Sequence, residues 1–416
     1  MNVTSTGAMV NSPRMRWVMI SLAFWATVIN YLDRQTLSVV APLLMDRFHM
    51  SNEVYSRVVF AFMLAYTAMN GVVGPLIDRL GTRLGYALTT AWWSAAAMLH
   101  ALATGAWSLG LYRFLLGMGE AGNWPAGVKV VAEWFPVEER ALASGVFNSG
   151  SAIGAILAPP LVVWMVLNFG WREAFLSVGA VGFAWLVFWQ LLYHVPGEVQ
   201  RENLAPPVSP WQLFRTRFVS SFTLAKAFID PVWYFYIFWF PVYLQQARHF
   251  NLASIGKYAW IPFLVAGLGN WLGGWLAAVL LRRGVSVTVA RKGSVTLFAI
   301  LMTASIPAVL VDSAALSIAF VSLAMLGYTG CTANMLAFPA DVFPKNAVAS
   351  VWGLASMGSG FGGMVFALLT GWLVDHFSYL PVFVLSGLMP LICSLILWVR
   401  LGPLDRMADA RVRQPG

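Results

Sequence analysis

Residues 17–44 read WVMISLAFWATVINYLDRQTLSVVAPLL. This apolar run is long enough to span a bilayer, which takes roughly 20 residues in a helix. Asp33 and Arg34 stand side by side within it. A charge at bilayer depth costs about 2.5 to 17 kcal/mol, depending on how the bilayer relaxes around it. Two adjacent charges are retained there when they face a wet cavity, pair with something, and handle an ion or a substrate. The alternative is a helix break that puts the pair in an interfacial loop, and Asn30, Tyr31 and Gln35 are polar enough to allow it.

Composition extends the membrane reading to the whole chain. Of 416 residues, 59% are hydrophobic and 10% charged, against about 25% charged in soluble domains. Twenty Trp and 28 Phe suit interfacial belts and lipid-facing surfaces. The net charge of +9 is a topology bias, since the basic residues gather in alternate loops, and nucleic acid is not the expected partner. Cys331 and Cys393 lie in apolar runs and suggest neither a disulfide framework nor metal-ligand spacing. The five histidines fall at span ends or alone, so no metal is assigned. The stretch after Arg16 is too long for a signal-peptide core and is expected to remain as a span.

Twelve candidate spans follow: 17–41, 56–77, 85–104, 108–131, 141–165, 174–194, 219–245, 256–281, 288–310, 314–339, 347–373 and 378–400. The polar stretch 196–218, rich in Pro and charge, divides them six and six. The expected layout is a tail over 1–16, a six-helix half over 17–195, a linker over 196–218, a second half over 219–400 and a tail over 401–416. Lys and Arg crowd one side: Arg14, Arg16, Arg79, Arg83, Arg140, the linker, Arg282, Arg283, Arg291, Lys292 and the carboxyl end. By the positive-inside rule, both termini and the linker are expected in the cytoplasm of a multi-pass inner-membrane protein. An all-α membrane protein with two six-helix halves places its substrate site near the midplane, with residues from both halves.

The fourth span, YRFLLGMGEAGNWPAGVKVVAEWF (112–135), holds further charges. Arg113 and Glu120 are seven apart, two helical turns, and share a face. They read as a structural clamp or as part of a substrate and proton path. Lys129 reads as a snorkelling residue near the cytoplasmic end. Guanidinium forks bind carboxylates bidentately, and carboxylates in a partly dry cavity exchange protons. Together they suggest an anion–proton symporter. No phosphate-binding glycine loop or nucleotide-sized soluble domain is apparent, so neither a pump, an enzyme nor a cofactor is expected. In the seventh span Lys226 and Asp230 are four apart, a spacing that permits an ion pair. Trp233, Tyr234, Tyr236 and Trp239 follow, either as a sugar-stacking wall or as core. Asn334 is a hydroxyl partner or a helix–helix hydrogen bond. Glycines line the fifth and eleventh spans, where small residues let helices pack closely.

GPLIDRLGTR (74–83) resembles the G-x-L-x-D-R-x-G-R-R motif of the major facilitator superfamily, with Pro75 at a variable position and Thr82 where Arg is usual. The resemblance implies the twelve-helix major facilitator fold and a gating role for Gly74, Asp78, Arg79, Gly81 and Arg83, with Gly74 allowing close helix approach. The segment GGWLAAVLLRRG (273–284) keeps the small residues and the basic pair. NYLDRQTLSVVAP (30–42), residues 120–162, FGWREAF (169–175), DPVWYFYIFWFPVYL (230–244) and ADVFPKNAVASVWG (340–353) resemble the anion:cation symporter group, and bacterial hexuronate and sugar-acid carriers in particular. That resemblance implies a substrate carboxylate on Arg34, Asp33 and Glu120 as the proton-carrying pair, Arg113 as their electrostatic partner, and Tyr31 and Tyr66 as hydroxyl donors. Ser151 and Ser356 stand where galactonate carriers have amide side chains, which favours another sugar acid. From the second half, Lys226, Asn334 and Ser356 are the expected substrate contacts. The reading is a monomeric, proton-driven importer of a hexuronate such as glucuronate or galacturonate. The alternatives are an aldonate, aldarate or aromatic-acid carrier, or a non-transporting sensor on the same fold.

Overall fold

The computed structural model describes residues 13–136, 139–194, 210–343 and 345–404. Among them there is no strand. Most of the expected tails and of the linker 196–218 lies outside the described residues, while residues 13–16, expected as tail, open the first helix. The helices form two compact units.

The first unit contains α1 (Pro13–Arg47), α2 (Asn52–Leu80), α3 (Thr82–Leu99), α4 (Ala106–Glu120), α5 (Asn123–Trp134), α6 (Arg140–Phe169) and α7 (Trp171–Leu192). Within it α1 packs along α6, and α3 along α7. The first turn of α2, residues 51–56, belongs instead to the second unit. There the Asp375 carboxylate accepts from the Asn52 and Glu53 amides at 3.1 and 2.7 Å. It thereby caps a helix start whose first amides have no partner within the helix.

The second unit contains α8 (Pro210–Arg215), α9 (Arg217–Arg248), α11 (Ile261–Arg282), α12 (Val287–Met302), α13 (Ser305–Leu310), α14 (Ala314–Met335), α15 (Phe338–Val342), α16 (Lys345–His376) and α17 (Tyr379–Ile396), while most of the short α10 (Leu252–Tyr258) clusters with the first. In the second unit α9 packs along α16, and α14 against α11 and α12. Residues 210–215, expected as linker, are helical; Pro210 opens the helix at a position where its missing N–H costs nothing.

Ten helical segments are long and apolar enough to cross a bilayer; α3 and the α4–α5 pair complete the twelve expected spans. Four of those spans are not continuous helices. The fourth breaks after Glu120, the eighth after Tyr258, the ninth after Met302 and the tenth after Met335. Each break is followed by a proline, although Pro42, Pro75, Pro159, Pro160, Pro231, Pro241 and Pro390 lie inside continuous helices. A proline cannot donate to the carbonyl four residues back, and its ring clashes with it. Pro125, Pro262, Pro307 and Pro339 stand four residues beyond Ala121, Tyr258, Thr303 and Met335. The fourth span is interrupted one residue past its buried glutamate.

The two units use the same packing device. Cβ atoms built on Gly150 and Gly154 of α6 would each lie 2.6 Å from a carbonyl oxygen of α1, those of Phe24 and Val28. Gly358 and Gly362 of α16 press still closer on the carbonyls of Thr223 and Ala227 of α9. The expected small-residue interfaces thus form in both units. Gly74 departs from its expectation: a Cβ there would meet no described atom within 4 Å. Gly81 instead is needed for its backbone, with φ of +79° at the α2–α3 turn, a region that glycine enters without a steric penalty.

This packing separates two glycines on one helix. Gly145→Ala meets open space and gains up to about 1 kcal/mol of helix propensity. Gly150→Ala drives a methyl into the Phe24 carbonyl and costs about 1–3 kcal/mol of overpacking. In detergent melts, Gly150→Ala is expected to unfold at lower temperature than the native chain and Gly145→Ala is not.

Candidate functional site

The charges singled out in the sequence converge inside the first unit. Arg34 on α1 and Glu120 at the end of α4 form an ion pair, Nε to Oε2, at 2.8 Å, with side chains 3% and 0% exposed. The sequence placed Arg113 and Glu120 on one helical face; the guanidinium that hydrogen-bonds Glu120 is Arg34's. Arg113, fully buried, donates from Nη2 to the Arg34 backbone carbonyl at 2.8 Å. It braces α1 at the residue that carries the pair.

An aromatic enclosure surrounds the Arg34 guanidinium. Its carbon lies 4.9 Å from the Tyr31 ring centroid, 4.7 Å from Tyr66 and 5.3 Å from Phe62. Ring faces carry negative charge density and attract the cation. Phe62 and Tyr66, one turn apart on α2, stack at 5.7 Å, and Phe62 also faces Arg113 at 5.5 Å. Phe62 was not among the sequence candidates; its position four residues before Tyr66 puts it on the same face. Gly117 of α4 admits α2 this closely, because a Cβ there would lie 2.5 Å from the Phe62 carbonyl oxygen.

Asp33 is placed differently from Glu120. It is buried, and both its oxygens have no hydrogen-bond partner among the described residues. Glu120 Oε1 also has none. Buried polar atoms of this kind are rare and mark a place for a water, a proton or a ligand. The arrangement therefore offers a fork for an anion, a carboxylate that already holds the fork, and a second carboxylate able to take a proton without losing a donor. The amide nitrogens of Asn30 and Gln35 are likewise buried without acceptors.

The motif residues form a separate group of the first unit. Asp78 accepts from Lys129 Nζ at 2.9 Å, and Lys129 also donates to the Ile77 carbonyl at 3.2 Å. Lys129 thus pairs with the motif aspartate; it does not simply snorkel. Arg83 Nη2 donates to the Gln190 carbonyl at 2.6 Å. Arg79 lies in the last turn of α2. Thr82, the motif's departure, donates to Glu133 at 2.5 Å. Glu133 also accepts from Tyr193.

In the second unit Lys226 and Asp230 make their i,i+4 ion pair at 2.7 Å. Tyr328 donates to the other Asp230 oxygen at 3.0 Å. Trp233 stacks on Tyr328 at 5.0 Å, whereas Tyr236 and Trp239 are core, Tyr236 sharing a 2.6 Å hydrogen bond with Ser305. Asn334 is fully buried and donates to the Gly273 and Gly330 carbonyls at 3.0 and 3.1 Å. It joins α11 to α14 through its amide nitrogen, while its Oδ1 is buried with no partner among the described residues. Ser356 is half-buried on α16.

A family model described as Major Facilitator Superfamily matches residues 23–330 and 286–415. The chain belongs to this superfamily. A hexuronate transporter of Escherichia coli strain K12 is 35% identical over 404 residues, covering 92% of this chain and 93% of that protein. A probable galactarate/D-glucarate transporter of the same strain is 30% identical, covering 94% and 96%. Among solved structures, a bacterial homologue of the human lysosomal transporter Spinster, crystallised inward-facing and unoccupied, has a TM-score of 0.77 at 19% identity over 97% of this chain and 100% of that one. That likeness carries the fold. Family membership places the twelve spans in the major facilitator architecture, an all-α membrane protein.

The Arg34–Glu120 pair generates a stability prediction. Removing one partner of a buried pair leaves an uncompensated charge and costs about 3–5 kcal/mol, whereas removing both is far milder. Arg34→Gln is expected to lower the melting temperature of the purified protein sharply, and Arg34→Gln with Glu120→Gln to recover most of the loss. A double-mutant thermal cycle in detergent measures both.

Proposed function

We propose that the protein is a proton-coupled importer of an organic anion, a hexuronate such as glucuronate or galacturonate, working by alternating access. One observation carries the reading: a buried guanidinium held by a carboxylate and flanked by two phenols, next to a carboxyl that has no donor among the described residues. The hexuronate transporter among the relatives supports the substrate class. The basic residues of alternate loops support cytoplasmic termini in an inner membrane.

In this reading the substrate carboxylate takes the Arg34 fork. Glu120 competes for the same fork, so a proton on Glu120 frees Arg34 for the anion. Asp33 exchanges the second proton, and Arg113 holds α1 in register and contributes positive potential. Tyr31 and Tyr66 turn their hydroxyls to the sugar. Lys226 and Ser356 supply polar contacts along the second unit, and Asn334 acts through the α11–α14 joint. Gly74, Asp78, Arg79, Gly81 and Arg83 serve the conformational cycle.

Uptake into proteoliposomes, with labelled acids and an imposed pH gradient, tests this directly. Glu120→Gln and Asp33→Asn are expected to lose gradient-driven accumulation while Glu120→Gln keeps exchange of internal for external substrate. Wild-type accumulation by both variants removes the proposed proton carriers. Arg34→Lys keeps the charge but loses the planar fork, and affinity is expected to fall by more than about tenfold, the scale of one charge-assisted hydrogen bond. A neutral hexose transported as well as glucuronate would exclude the anion site.

A further inference from the structure

The shared glycine device sets the two units in register. Gly154 meets the Val28 carbonyl as Gly362 meets that of Ala227, and Gly150 meets Phe24 as Gly358 meets Thr223. Continuing along α1 and α9 from those carbonyls, Tyr31 corresponds to Asp230 and Arg34 to Trp233. The position that carries a guanidinium in one unit carries an indole in the other. The buried cation that α9 does hold, Lys226, is already taken. Its ammonium lies 2.7 Å from Asp230 and 5.0 Å from the Trp352 ring centroid, with the Lys226 and Asp230 residues 7% and 3% exposed. Asp230 in turn cannot swing away freely, because Tyr328 holds its second oxygen and stacks on Trp233.

We infer that Asp230 is a specificity-determining residue, which neutralises Lys226 and so makes the second unit select against anions carrying a second carboxylate. The inference rests on the proposed transport of an acid and narrows its class to monocarboxylates. An anion moving past α9 finds an aromatic surface and a neutral ion pair. Hydroxyls can bond to that pair, since an ammonium has three donors and a carboxylate has several acceptor sites. A second carboxylate cannot: it must leave its water for a site where the Lys226 ammonium faces Asp230, and it feels that carboxylate's repulsion. Discrimination of this kind works through an opposing charge and needs no extra contact with the favoured substrate. Removing the Asp230 charge releases the ammonium for the substrate.

The test is inhibition of labelled glucuronate uptake in proteoliposomes by gluconate and by glucarate. These two are open-chain acids of equal length that differ in one terminal carboxylate. The native carrier is expected to bind gluconate more tightly than glucarate. Asp230→Asn is expected to shift the ratio toward glucarate by about tenfold, the scale of one charge-assisted hydrogen bond. Asp230→Asn with Lys226→Gln, which carries no charge, is expected to return the native preference. Tyr328→Phe, a milder change that loosens Asp230, is expected to shift the ratio in the same direction by a smaller factor. Equal inhibition of the native carrier by both acids overturns the inference without any variant. So does a ratio unmoved in Asp230→Asn, or one that moves equally when Lys226 is also replaced. If glucuronate is transported and the ratio fails, the inference falls and the transport reading stands; if no acid is transported, both fall.

Discussion

Taking the Arg34 guanidinium and the Glu120 carboxylate out of water costs several kcal/mol per ion, and their attraction offsets that cost only with close geometry and further hydrogen bonds. The first unit is arranged around this requirement. Gly150 and Gly154 bring α6 onto the carbonyls of α1, Gly117 brings α4 onto α2, and Arg113 ties its own guanidinium to the backbone of Arg34. The phenols of Tyr31 and Tyr66 and the ring of Phe62 lie around the cation. Without that close packing the pair would hydrate and lose the energy that makes it sensitive to a competing anion or a proton.

The second unit repeats the helix packing with a different charge distribution. Both of its central charges sit on one helix, one turn apart, so their separation is set by local geometry and does not depend on a neighbouring helix. In the first unit the charges come from two helices, and their contact depends on how α1 and α4 pack. The consequence is an asymmetry within a repeated fold: one unit holds an ion pair whose partners can be drawn apart by helix movement, the other an ion pair that travels as a piece.

Much of this was legible in the chain. A charged pair inside an apolar 28-residue run, the seven-residue spacing of Arg113 and Glu120, and the four-residue spacing of Lys226 and Asp230 each follow from composition and helical period. Which guanidinium meets Glu120 was not legible, because that depends on the rotation of α4 against α1, which no spacing within either helix encodes. Phe62 was hidden for the same reason among many phenylalanines. Lys129 and Asp78 lie far apart in sequence and meet only through tertiary packing. The broken spans were only partly legible: each has a proline four residues past a stranded carbonyl, but Pro42, Pro75, Pro159, Pro160, Pro231, Pro241 and Pro390 strand carbonyls within continuous helices, so proline alone does not name the breaks.

Those four prolines have a mechanical consequence. Bending a continuous helix shears hydrogen bonds on its convex side, and the elastic resistance comes from them. Where Pro125, Pro262, Pro307 and Pro339 have already removed a rung, bending forfeits less. Three such compliant points lie in the span groups α10–α11, α12–α13 and α14–α15, and one in α4–α5, immediately beyond Glu120. The carboxylate that holds Arg34 therefore stands at the end of a stiff rod that terminates in a soft joint. Force applied to α5 is absorbed at Ala121 and Gly122 before it reaches the ion pair, so the lever and the charge it carries are insulated from each other.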